Sequence, residues 1–144
     1  MPTRAIAYWT TTALLAAALV FGGVLDLVRV PAIVAGFAHL GYPLYVATLI
    51  GAWKLLGALA ILVPGAPRLK EWAYAGIVFD LSGALVSHAS VGDGFGELVA
   101  PLGLLAIAAA SWALRPASRV LPSRDATTTR SRAVPVAAAH AGLA

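Results

Sequence analysis

Apolar residues run along this chain in long blocks separated by short clusters of polar, proline and glycine residues. The first block, Ala5 to Leu25, ends at Asp26. The second, Leu44 to Val63, is closed by Pro64-Gly65-Ala66-Pro67, a cluster that cannot continue a helix. The third, Trp72 to Val91, is closed by Gly92-Asp93-Gly94, and the fourth, Glu97 to Leu114, by Arg115-Pro116. Each block is about 18–21 residues, and at the α-helical rise that covers about 30 Å, the thickness of a bilayer's hydrocarbon core. The pattern predicts an all-α integral membrane four-helix bundle.

The segment between the first two blocks has a pattern of its own. Pro31 suits the first turn of a helix. Ile33, Phe37 and Leu40 then recur at helical spacing, and Gly41 with Pro43 stops the run. A short interfacial helix is expected between spans one and two. Arg4 ahead of the first block raises a signal peptide as a rival reading. The block is longer than an h-region of about 7–15 residues, so a retained span is expected.

Composition sharpens this picture. Of the 144 residues, 60% are hydrophobic and 11% charged, against about 25% charged in soluble domains. A chain this short has too little interior to hide that much apolar surface from water. With no cysteine, thiolate catalysis, Fe–S clusters and thiolate zinc sites are excluded. The net charge of +4 does not indicate nucleic acid, because the basic residues lie in short loops and the tail. Arg4, Arg68, Lys70, Arg115, Arg119, Arg124, Arg130 and Arg132 fall on one side of a four-span chain, and Arg29, Asp93 and Glu97 on the other. The positive-inside rule then makes both termini cytoplasmic. Residues 1–116 form the expected transmembrane domain. Residues 117–144, rich in Ser, Thr, Arg, Ala and Pro, form an expected disordered basic cytoplasmic tail.

Several motifs resemble a known family. They are His39-Leu40-Gly41-Tyr42-Pro43, Ile50-Gly51-Ala52-Trp53-Lys54-Leu55-Leu56-Gly57-Ala58, Pro67-Arg68-Leu69-Lys70-Glu71-Trp72-Ala73-Tyr74-Ala75-Gly76, Phe79-Asp80-Leu81-Ser82-Gly83-Ala84 and Ser87-His88. Over roughly Tyr8 to Pro116 the chain resembles the DoxX-like family of small four-helix bacterial membrane proteins. The resemblance implies four spans in the bacterial cytoplasmic (inner) membrane. The broader group includes proteins linked to thiosulfate:quinone oxidoreductase and to membrane oxidative-stress complexes, which makes a quinone a possible cofactor and a membrane redox protein a possible partner. It carries no catalytic motif onto this chain.

Ionisable groups at membrane depth mark candidate chemistry, since a Lys or Asp at a helix centre costs about 2.5–3.5 kcal/mol on insertion scales. Lys54 and Asp80 lie near the middles of spans two and three. Their equal depth predicts that they meet, as a proton-relay or substrate-binding pair or as a buried ion pair setting helix register. Gly51, Gly57 and Ala58 around Lys54 are expected to let spans two and three approach. Asp26, His39, Tyr42, Tyr45 and His88 are expected to gather towards the outer surface, as a pocket for an amphipathic molecule or as an interfacial belt. Ser87 shares one side of span three with Asp80, Ala84 and Val91, as the lining of an internal cavity or as ordinary tight packing. His39 and His88 as haem or metal ligands are a weaker reading, and no metal site is expected.

Three functions fit. The first is a membrane subunit or binding protein handling a quinone-like or lipophilic small molecule beside a redox partner. The second is a stand-alone membrane enzyme using Lys54, Asp80 or His88 for acid–base work. The third is a structural anchor without a ligand. Membrane lipid is the expected partner in all three, and nucleic acid in none.

Overall fold

The computed structural model describes residues 2–121. These form five α-helices and one 3-10 turn, with no strand among the described residues. Helix α1 spans Pro2–Val28, α2 Pro31–His39, α3 Tyr45–Leu62, α4 Pro67–Ser90 and α5 Phe95–Ala113, and the turn is Ala117–Arg119. The four long helices make a closed ring in chain order: α1 packs on α3, α3 on α4, α4 on α5, and α5 back on α1.

The punctuation works as the residue types dictate. Arg29 leaves α1 in the left-handed region at φ 53°, and Pro31 opens α2. Gly41 at φ 77° ends the α2 segment and turns the chain into α3. Between α3 and α4 the turn uses two left-handed residues, Gly65 at φ 68° and Ala66 at φ 48°. Pro67 then starts α4, five residues ahead of the Trp72 expected from hydropathy. The pyrrolidine ring presets a helical φ and the first turn needs no N–H, so the helix starts at the proline and carries Arg68, Lys70 and Glu71 inside it.

Helices α1, α3 and α5 are long and apolar enough to cross a membrane. Helix α4 is long enough, at 24 residues, but more polar. It completes the ring between α3 and α5, with Lys70, Glu71 and Tyr74 near one end and Ser87 and His88 near the other bonded to neighbouring segments. The core is small: Leu15, Ala16 and Leu19 meet Ala58 and Ile61, with Tyr74, Ile77 and Leu81 of α4 and Ala108 of α5. The large apolar side chains lie outside, among them Phe21, Trp53, Leu59, Trp72, Phe79 and Val86. A water-soluble monomer does not carry such a surface. Hydrocarbon solvates it without penalty.

Helices α1 and α3 make the closest approach. A Cβ on Gly51 would stand 2.8 Å from the carbonyl oxygen of Gly23, and one on Gly23 would stand 2.9 Å from that of Gly51. The glycines were expected to draw α3 onto α4. Instead Gly51 faces α1, and a Cβ at Gly57 would meet Ile77 of α4 only at 3.8 Å, an ordinary contact. Small residues permit close packing on any side, and the side is chosen by the helix that also presents a glycine.

Candidate functional site

Polar side chains are buried at three levels of the bundle. At mid-depth, Lys54 Nζ donates to Asp26 Oδ2 at 2.8 Å. Asp26 is only 2% exposed. The glycine pair explains this partnership: the backbones of α1 and α3 are in contact one turn away, so the lysine stem lies along Gly22 and Gly23 and reaches the carboxylate. The expected Lys54–Asp80 pair is therefore replaced by Lys54–Asp26. Equal depth on adjacent helices fixed height but not the direction each side chain takes around its helix.

Asp80 is half-buried and makes no hydrogen bond or ion pair among the described residues. It lies within electrostatic reach of both Lys54 and Asp26. Lys54 and Asp80 line the same groove, a cleft of about 370 Å³ between α3 and α4. Its remaining walls are apolar or aromatic, with Trp53, Leu56, Leu69, Trp72 and Ile77 on the sides and Leu19 and Ala60 behind. Trp53 and Trp72 are 63% and 81% exposed, so the groove opens sideways, where lipid tails would lie.

At the end of the bundle where α4 finishes and α5 begins, Asp93 bridges two histidines. His88 Nδ1 approaches Asp93 Oδ2 at 2.6 Å and His39 Nε2 approaches Oδ1 at 2.7 Å. These hydrogen bonds, the one from His88 first and then that from His39, hold the Asp93 carboxyl below its ordinary range. Tyr42 and Ser87 share a hydrogen bond of 2.9 Å. Together they tie the end of α2 and its loop to the end of α4. Of the expected outer cluster, His39, Tyr42 and His88 do gather, and Ser87, expected on the Asp80 side of span three, joins them through Tyr42. Asp26 belongs instead to the mid-depth pair, and Tyr45 stays 68% exposed. His88 lies two turns beyond Asp80, about 12 Å along the helix, so it does not join Lys54 and Asp80 in one site. Among the described residues no three His, Cys, Asp or Glu side chains are grouped to hold a metal.

The opposite end holds residues that hydropathy alone left as topological charges. Lys70 is fully buried and donates to the carbonyls of Ala60, Ile61 and Val63, capping the end of α3. Arg119, 9% exposed, donates to Tyr8 Oη and to the carbonyls of Ile61 and Leu62, and lies over the ring of Trp9. Arg115 pairs with Glu71 at 2.8 Å and lies over the rings of Tyr74 and Trp112. Just inside this layer Ser111 links Thr12 and Tyr74, each at 2.7 Å. The residues that sequence reasoning missed are these and Asp93. A serine in an α5 that is apolar beyond Glu97 in its first turn, with a tyrosine and a threonine on its neighbours, was the available signal. The expected tail starts at residue 117, yet its first turn is ordered against the bundle through Arg119. Residues 122–144 lie outside the described residues.

A ring of helices with a lipid-facing exterior, buried ion pairs and a sideways groove defines a multi-pass helical membrane protein. The chain belongs to the DoxX-like family, whose family model matches residues 10–111. Neither a curated protein nor a solved structure matches it.

Proposed function

We propose that the chain is a small membrane subunit or binding protein that holds a quinone-like or other lipophilic small molecule in the α3–α4 groove, beside a redox partner. One observation carries this reading: an apolar, sideways-open groove ends at mid-membrane on Lys54 and Asp80. A phospholipid keeps its charged head at the interface and would place only acyl chain there. A molecule with a small polar group on an apolar body fits both ends of the groove. Lys54 spends one N–H on Asp26 and keeps others for a carbonyl acceptor. Asp80 offers a carboxyl to the same ligand. The redox partner rests on family membership and not on any residue of this chain.

The location supports the reading. Arg4, Arg68, Lys70, Arg115 and Arg119 stand at the end where α1 and α4 begin and α3 and α5 finish. The positive-inside rule puts that end, both termini and the basic tail in the cytoplasm of a bacterial inner-membrane protein.

The test is extraction of the protein in native lipid discs and mass spectrometry of what it carries. Gly76 lines the groove and a Cβ there meets nothing within 4 Å, so Gly76→Leu fills the cleft without disturbing the fold. A lipophile enriched over bulk lipid with the unaltered chain and absent from Gly76→Leu is the expected result. Equal lipid and quinone profiles from both would remove the groove as a binding site.

A further inference from the structure

The polar end of the groove is lined by the Lys54 ammonium and the Asp80 carboxyl, with the buried Asp26 carboxylate behind Lys54. Asp26 and Lys54 satisfy each other at 2.8 Å. Asp80 is left over: half-buried, facing the cleft, without a partner among the described residues. An ionisable group at membrane depth normally faces a partner or a ligand, because hydrocarbon provides neither charge nor hydrogen bond. None of the described residues donates to Asp80, which leaves that role to an occupant of the groove.

The geometry points to a groove that selects lipophiles by a hydrogen-bond-donating head group, a hydroxyl or an ammonium, received by Asp80. This rests on the groove being a binding site and narrows what it takes. For a quinone-like molecule it means preference for the reduced, hydroxyl-bearing form. An acceptor-only molecule, such as an ester, can reach only Lys54, whose charge is already shared with Asp26. A carboxylate would bring a third negative group to a single ammonium, and like charges in a weakly polar site repel strongly. Fatty acids are thereby excluded although the walls would suit their chains. Trp53, on the open side of the cleft, adds an aromatic face that favours a cationic head.

Trp53 and Trp72 line the groove and report on its occupancy. Four probes share one brominated sixteen-carbon chain and differ only in the head: primary alcohol, primary amine, methyl ester and carboxylate. Each is titrated into the full chain in lipid discs while quenching of tryptophan fluorescence is followed. Trp53→Phe/Trp72→Phe provides the background from the remaining indoles. The alcohol, the amine or both should quench at about tenfold lower concentration than the ester, the effect of one added hydrogen bond, with the carboxylate no better than the ester. Asp80→Asn separates the two heads: the amide still accepts from a hydroxyl but no longer pairs with an ammonium. Asp80→Leu should abolish both preferences while Lys54–Asp26 stays intact. Equal quenching by all four heads, or a preference that survives Asp80→Leu, would overturn donor selection and leave the groove standing. Failure of every probe to exceed the background would overturn the groove as well.

Discussion

Helix α3 has two faces that differ sharply. Towards α1 its glycine meets another glycine, backbone lies on backbone, and a lysine reaches across to a buried aspartate. Towards α4 its glycine at position 57 has slack, and a cleft remains with Asp80 in it, unpaired among the described residues. Both faces carry small residues and both include an intramembrane carboxylate. The contrast shows that small residues do not close an interface by themselves. They close it where two of them coincide, and the charged group beside that contact then finds its partner. On the face that stays open, the charged group is left for something else.

The strongest way to break the contrast is to add one methyl on the closed face. Gly51→Ala puts a Cβ 2.8 Å from a backbone oxygen that cannot rotate away. Helices α1 and α3 must separate, at a cost of about 1–3 kcal/mol or more, read as a lower midpoint of unfolding in mixed micelles. An unchanged midpoint would mean that the two helices are further apart than described.

The ion pair comes next. Asp26→Asn or Lys54→Met strands the other charge, and breaking a buried pair costs up to about 3–5 kcal/mol. Lys54 is 24% exposed towards the groove, so a cost below that range, about 1–2 kcal/mol, is expected. A double-mutant cycle should show clear coupling for Asp26 with Lys54 and much less for Asp80 with Lys54. The reverse order would restore the pairing that helix depth alone suggests.

Truncation sharpens the account of the basic end. A chain ending at Arg119 should keep its stability. One ending at Pro116 loses the hydrogen bonds from Arg119 to Tyr8, Ile61 and Leu62. It should unfold about 1–3 kcal/mol sooner. Equal behaviour of the two would make the turn dispensable.

A local effect is expected at the end of the bundle that carries α2. The Asp93 carboxyl is held below its ordinary range, so its contribution is in place above the ordinary carboxylate value. It is lost as pH falls through the lowered one. Hydrogen exchange of residues 30–43 should stay slow from neutral pH through the usual carboxylate range and quicken only below it. Asp93→Asn should lower that protection wherever the unaltered Asp93 is ionised and make no difference below the lowered range. Protection unaffected by Asp93→Asn would show that the histidine bridge does not hold α2 down.

The smallest effect belongs to the open face. Gly57→Ala meets Ile77 at an ordinary 3.8 Å and gains helix propensity of about 0.5–1 kcal/mol. Its stability should be equal or slightly higher. Destabilisation comparable to that of Gly51→Ala would abolish the distinction between the faces.

How much of this was legible in the chain differs from feature to feature. The four long helices, the short α2, the turn glycines and prolines and the bilayer as solvent follow from residue types and their spacing. Hydrophobic run length and backbone punctuation act locally and need no partner. The gathering of His39, Tyr42 and His88 was also within reach, because α2 and the last turns of α4 are confined to one membrane surface. Depth can be counted along a helix at 1.5 Å per residue, so the sequence determined that Lys54 and Asp80 lie inside the membrane. Azimuth is another matter. Whether Lys54 turns to α1 or α4 depends on which helices touch at which glycines, a property of the packed ring. Only the tertiary structure decided that Lys54 takes Asp26, that Asp80 is left facing a groove, and that Lys70, Arg115 and Arg119 turn inward. A cation near a helix end meets either water or the bare carbonyls and aromatic faces of its neighbours, and the chain as a string does not say which neighbour will be there.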